Sequence, residues 1–146
     1  ARPYISTALR TQIADDAQHR CGYCLTSQIH TAMPLQIEHI IPWLSVAVGG
    51  NSERENLWLA CPLCNGRKST RVIGVDPQTS ENVPLYNPRR QPWNEHFTWS
   101  ADGILILGLT PTGRATVDAL QLNHEHFRQA RRRWVAVGWH PPAQDS

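Results

Sequence analysis

The chain has 146 residues, the length of one ordinary domain, and its 40% hydrophobic and 18% charged content excludes a wholly disordered segment. Its longest apolar run, Ile104 to Leu109, is broken by Gly108 and falls far short of the ~20 residues that a membrane-spanning helix needs. Lys and Arg number 14 against 12 acids, and a net charge of +2 does not by itself mark a nucleic-acid binder.

Residues 6–18 are predicted to form a helix, with Ser6 or Thr7 as N-cap and Leu9, Ile13 and Ala17 along one face. Leu35 to Ile41 alternates and then runs apolar, which predicts a strand that Pro42 ends. A polar loop follows from Ser45 to Glu55, with Gly49, Gly50, Asn51 and Ser52 at its tip, and Leu57 to Ala60 suits a second strand. Pro62 fits the first turn of a helix that runs to about Ser69. Residues 71–95 carry Pro77, Pro84, Pro88 and Pro92 and are read as an extended connector. A hairpin is expected around Ser100 to Gly103, between His96–Trp99 and Ile104–Leu109. Two helices close the chain, 113–121 capped by Thr110 or Thr112, and 124–137 capped by Asn123. In the last, Phe127, Ala130, Trp134 and Val137 share a face, and Arg128, Arg131, Arg132 and Arg133 form a positive run. That run suits either a phosphate backbone or a solvated helix face. The six tryptophans suit core packing better than base stacking.

Four cysteines, Cys21, Cys24, Cys61 and Cys64, form two C-x2-C pairs 36 residues apart. This is the ligand spacing of a four-cysteine zinc site, because a tight turn lets both thiolates of a pair face one ion. Two disulfides in a secreted domain are the alternative, but a chain of this length buries enough surface to stand without staples. Structural zinc in a reducing, cytoplasmic compartment is therefore expected. His30 is a weaker substitute ligand.

Between the pairs stand Glu38-His39-Ile-Ile-Pro42, Gly49-Gly50 and Glu55-Asn56-Leu57, and the second pair continues as Cys64-Asn65-Gly-Arg67-Lys68. Adjacent strand residues point to opposite faces, so Glu38 and His39 cannot both aim at one atom. Near a strand end they can serve separate ends of one site. A carboxylate suits a hard cation, and an imidazole suits water activation because its ordinary pKa is about 6.5.

This compound motif resembles the HNH endonuclease family over residues 20–70. The resemblance implies a ββα-metal core, which with the structural zinc site and the C-terminal hairpin and helices read above makes an α+β chain. His39 matches the general base, and Asn56 matches the asparagine that braces the loop. Glu38 and Asn65 match ligands of a catalytic Mg2+ or Mn2+. Lys68 and Arg67, with Arg71, fall where the family contacts phosphate. Asn65 replaces the histidine of other members and Glu38 the commoner aspartate. The implied activity is hydrolysis of DNA phosphodiesters, by nicking in a monomer or double-strand cleavage in a homodimer. The alternatives are a zinc-stabilised nucleic-acid-binding module without catalysis, and a nuclease acting on RNA or structured DNA. The organisation expected is one domain over 1–146. It comprises an N-terminal helix in 1–19, the core in 20–70, and a wrapping extension in 71–146.

Overall fold

The computed structural model describes residues 4–42 and 50–143. Trp43 and the stretch from Ser45 to Gly49 lie outside the described residues. Helix α1 spans Thr7–Asp16, and Ser6 caps it, its Oγ accepting from Leu9 N at 3.1 Å. The cap satisfies one of the backbone donors that a helix start leaves unpaired. Ile13 is the buried residue of α1, and it packs with Ile5 and Leu57, flanked by Leu9 and Ile37.

Strands β1 (Gln36–His39) and β2 (Leu57–Ala60) pair antiparallel, with Gln36 opposite Ala60 and His39 opposite Leu57. The pleat puts Ile37, His39, Leu57 and Leu59 on one face and Gln36, Glu38, Trp58 and Ala60 on the other. The first face receives α1; the second faces helix α2, Pro62–Lys68. β1 ends two residues earlier than the apolar run suggests. Asn56 reaches across instead, and its Oδ1 accepts from Ile41 N at 2.9 Å. Cys61 caps α2 through its own sulfur, which accepts from Cys64 N at 3.4 Å, and Pro62 occupies the first turn.

The stretch expected as an extended connector contains a hairpin, β3 (Ile73–Val75) with β4 (Asn82–Pro84), and a one-turn helix α3 (Trp93–His96). Asp76 makes the turn: Oδ1 accepts from Gln78 N and Oδ2 from Thr79 Oγ1, both at 3.0 Å. Arg114 then clamps both oxygens, at 2.9 and 2.8 Å, and holds that carboxyl far below the usual carboxylate range. Strands β5 (Phe97–Trp99) and β6 (Ile106–Gly108) form the second expected hairpin.

Helix α4 spans Pro111–Ala119 and is capped by Thr110, whose Oγ1 accepts from Gly113 N at 3.0 Å. Helix α5 spans Glu125–Ala136, and its cap is His124 rather than Asn123. The Asn123 amide is engaged elsewhere. It accepts from Ile106 N and donates to Ile106 O, each at 2.8 Å, as a partner strand would. The buried face of α5 also differs from the apolar stripe. Phe127 and Arg131 are buried, whereas Val137 is exposed. Arg131 points inward and donates to Ile104 O at 2.9 Å, Leu122 O at 2.6 Å and Asn123 Oδ1 at 3.1 Å.

The main core joins the four cysteines and Tyr23 to Leu85, Tyr86, Phe97, Ile106, Leu120, Leu122 and Phe127. The extension and the cysteine-bearing segment thus share one apolar interior. Trp93 donates its indole N–H to Tyr23 O at 2.9 Å, and Arg89 stacks over Trp58 at 4.6 Å. Gly22 permits this closeness, since a Cβ there would collide with the Trp58 indole and Pro88. No helix of the described residues is long and apolar enough to cross a membrane.

Two stability predictions follow from the interior. Arg131→Ala strips the donors from two buried carbonyls, at about 1–3 kcal/mol each, and should lower the chemical-denaturation midpoint sharply. The second concerns His30, stacked on Trp139, and His140, which donates to Gly103 O at 2.9 Å and lies near Arg20, Arg131 and His30. Burial pushes both imidazoles below their ordinary range, and the nearby positive charges add to it. The folded chain then refuses protons that the unfolded chain accepts below about pH 6.5, so stability is full above that pH and falls as pH drops. Urea midpoints at pH 7.5 and 5.5 should show the loss, and His30→Gln with His140→Gln should flatten it.

Candidate metal centre and active site

The four cysteine sulfurs lie within 4.8 Å of one another, and Cys24 and Cys61 are 3.7 Å apart, so they are unbridged thiols. That spacing matches four thiolates around one ion with metal–sulfur bonds of ~2.3 Å. The knuckle at Cys21–Cys24 is built by backbone turns, Leu25 N to Cys21 O at 3.0 Å and Cys21 N to Thr26 O at 2.9 Å. Gly22 N donates to Leu59 O at 2.9 Å and ties the knuckle to β2. All four cysteines are buried, and burial pushes the Cys21 and Cys64 thiols well up. A sealed set of thiolates is tenable only around a cation, so the donor chemistry fits a metal. His30 is not among these ligands.

His39, half-buried at the end of β1, has its Nε2 3.1 Å from Ser52 Oγ. The backbone around it is fixed by Asn56. Besides taking Ile41 N, the Asn56 amide donates to Ile41 O at 3.0 Å and to Asn51 O at 2.8 Å. One side chain thus joins the segment after His39 to the segment before Ser52.

Glu38 lies on the opposite face of β1. Its Oε1 accepts from the Tyr23 hydroxyl at 2.8 Å and sits 3.0 Å from the Lys68 ammonium. Lys68 also donates to Ile40 O at 2.8 Å, and both ends of the pair are no more than 2% exposed. Burial pushes the Glu38 carboxyl up, while Lys68 and the Tyr23 hydroxyl pull it back. Glu38 Oε2 is buried and has no hydrogen-bond donor among the described residues. An orphaned carboxylate oxygen is costly, and a cation would relieve it. Asn65 sits on the same side, donating through its amide nitrogen to Gln36 Oε1 at 2.8 Å. Oxygen donors from a carboxylate and an amide fit a hard cation such as Mg2+ or Mn2+. Glu38, with Tyr23 and Lys68, and Asn65, with Gln36, thus lie on the α2 side of the strand pair, and His39 with Ser52 on the other.

Each of the residues expected to contact phosphate has a partner within the chain. Lys68 is sealed against Glu38 because its ammonium is the counter-charge of that carboxylate. Arg67 donates to Leu120 O and Gln121 O, at 3.3 and 3.1 Å, and Arg71 donates to Ala119 O at 2.9 Å and to Arg67 O. They satisfy carbonyls at the end of α4, which a helix C-terminus leaves unpaired. Arg71 stays exposed, while Lys68 is closed to solvent. Arg131 likewise leaves the positive run on α5 and enters the core.

Sequence reading missed three participants: Tyr23, Gln36 and Ser52. Tyr23 lies inside the first C-x2-C pair and Gln36 two residues before Glu38, both detectable as polar residues beside the motif. Ser52 carries no signal beyond its place in the glycine-containing loop.

Residues 21–71 match the family model described as HNH endonuclease, about a third of the chain. The match supports a nuclease-like role on nucleic acid at the level of the family. No curated protein and no solved structure matches the chain.

Two measurements check the site's construction. Chelation of a metal from the cysteine cluster, or Cys61→Ser, should lower the melting temperature and broaden the NMR spectrum, with about one metal ion released per chain. Lys68→Met should destabilise the fold by about 3–5 kcal/mol by leaving Glu38 charged, buried and unpaired. Adding Glu38→Gln to Lys68→Met should recover much of that loss in a double-mutant cycle.

Proposed function

We propose that this chain is a metal-dependent endonuclease that hydrolyses DNA phosphodiester bonds, with His39 as its general base. The setting of His39 carries the reading. It is a half-buried imidazole in contact with Ser52, on a backbone that Asn56 bolts in place through three hydrogen bonds. A base must be held within hydrogen-bond reach of the proton it removes, and such rigidity serves that need. His39 takes a proton from water, whose oxygen forms the new bond to phosphorus as the bond to the 3′ oxygen breaks. The leaving oxygen collects a proton from solvent, giving a 5′-phosphate and a 3′-hydroxyl. Ser52 and Asn56 orient the imidazole. Glu38 Oε2 and the Asn65 amide oxygen would hold a Mg2+ or Mn2+ ion. Such an ion, when bound, supplies positive charge beside the scissile phosphate. Cys21, Cys24, Cys61 and Cys64 would hold a structural zinc ion.

The buried Glu38–Lys68 pair favours one second reading, a nucleic-acid-binding module in which that carboxylate is purely structural. Nicking of supercoiled plasmid in Mg2+ or Mn2+, against EDTA, separates the two. The expected result is metal-dependent nicking that His39→Ala reduces at least about a hundredfold, with unchanged melting temperature and cysteine-bound metal. Full activity in His39→Ala would sink the mechanism. RNA and structured DNA substrates belong in the same panel.

A further inference from the structure

Of the three basic residues expected at the phosphate, Lys68 is sealed against Glu38, and Arg67 and Arg71 already donate to main-chain carbonyls, which leaves room for a further cation at the site. A cleft of about 310 Å3 is lined by Ile40, Ile41 and Lys68, and by Val72, Leu85, Tyr86 and the turn that carries Arg90. Ile40 and Ile41 directly follow His39. The lining from Val72 onward lies in the extension, outside the matched segment at residues 21–71. Of the two charged residues lining it, Lys68 is sealed and neutralised by Glu38, whereas Arg90 is exposed. The Arg90 guanidinium meets no carboxylate and no other hydrogen-bond acceptor among the described residues.

The backbone beneath Arg90 is rigid. Asn87 Oδ1 accepts from Arg89 N at 3.0 Å and from Arg90 N at 3.2 Å, and Gln91 Oε1 accepts from Asn87 N at 2.7 Å. The Tyr86 hydroxyl closes the turn by donating to Gln91 O at 2.8 Å. The two adjacent arginines leave this turn in different directions. Arg89 pairs with Asp16 at 2.9 Å and donates to Leu57 O at 3.0 Å, which ties the turn to α1 and β2. Arg90 is left facing the cleft.

We propose that this cleft seats the DNA strand next to the scissile phosphate, with Arg90 gripping a flanking phosphate. This rests on the nuclease reading above. A free guanidinium on a pre-ordered turn suits phosphate oxygens, because its planar fork donates two parallel hydrogen bonds. The apolar walls at Ile41 and Val72 would lie against sugar and base.

The test is binding of a short fluorescent DNA duplex across a salt series, in a His39→Ala background that leaves the duplex intact. Arg90→Glu should weaken binding about tenfold or more, and Arg90→Ala should reduce the slope of log affinity against log salt by about one phosphate contact. Arg90→Lys should restore much of the affinity. Val72→Trp, which fills the cleft without removing charge, should weaken binding with the slope kept. In the otherwise native chain, Arg90→Glu should raise KM for nicking more than it lowers kcat. Wild-type affinity and slope in Arg90→Ala, or an equal loss from the exposed Arg132→Glu on α5, would overturn the clamp while His39-dependent nicking left the nuclease reading standing. Absence of both binding and nicking in the native chain would overturn both.

Discussion

The structure turns on the four-cysteine cluster. Its sulfurs come from two segments far apart in sequence, the knuckle at Cys21–Cys24 and the first turn of α2, and they meet inside the main core. With a metal bound, the cluster closes a loop that contains both strands, His39, Asn56 and the start of α2. Closing so long a loop costs the unfolded chain entropy, and metal coordination offsets that cost in the folded state alone. The apolar residues around the cluster come largely from the extension. The cysteine-bearing segment is therefore half of a shared interior, and the extension supplies the other half.

A second constraint follows from burying charge beside that cluster. Glu38 and Lys68 face each other across β1 and α2 with almost no exposure, and Tyr23 gives the carboxylate its remaining strong donor. A buried pair of this kind adds little net stability over an apolar one, yet breaking it is costly. It fixes the approach of α2 to β1 and so sets where Asn65 stands relative to Glu38. All the basic residues but Lys68 are arginine, and their partners explain part of that bias. Arg67 and Arg71 cap the end of α4, Arg131 satisfies carbonyls inside the core, and Arg114 and Arg89 clamp buried or half-buried aspartates. A guanidinium serves several acceptors in one plane, where a lysine would serve them as a single point charge.

Local signals made much of the fold legible from sequence. The Ser6 cap, the second strand, the Pro62 helix start and the Ser100–Gly103 hairpin were all readable, because each depends on residues within a few positions. The C-x2-C spacing and the match to residues 21–71 were legible for the same reason. The hairpin at β3 and β4 was not. Its strands are three residues long, Ile73 and Val75 are exposed, and the turn is held by Arg114, 38 residues away. Periodicity also misplaced Arg131, since an arginine scored as polar reads as a surface residue until its carbonyl partners are known. The inward placement of Lys68 depended on the depth of Glu38, which no spacing reveals.

The distribution of positive charge then follows from the fold. The +2 net charge hides how many cations already have partners within the chain: Lys68, Arg67, Arg71, Arg89, Arg114 and Arg131 all have acceptors of their own. A cation already serving a protein carbonyl or carboxylate cannot turn to a phosphate without leaving that group unpaired. Electrostatic attraction to a polyanion must therefore come from the uncommitted remainder, which includes Arg90 on its braced turn and Arg132 and Arg133 on the exposed side of α5. Only Arg90 among these lines the cleft beside the segment after His39. A chain of nearly neutral charge can thus present a local positive point at the cleft lined by Ile40 and Ile41, provided the other cations are used up in holding the structure together.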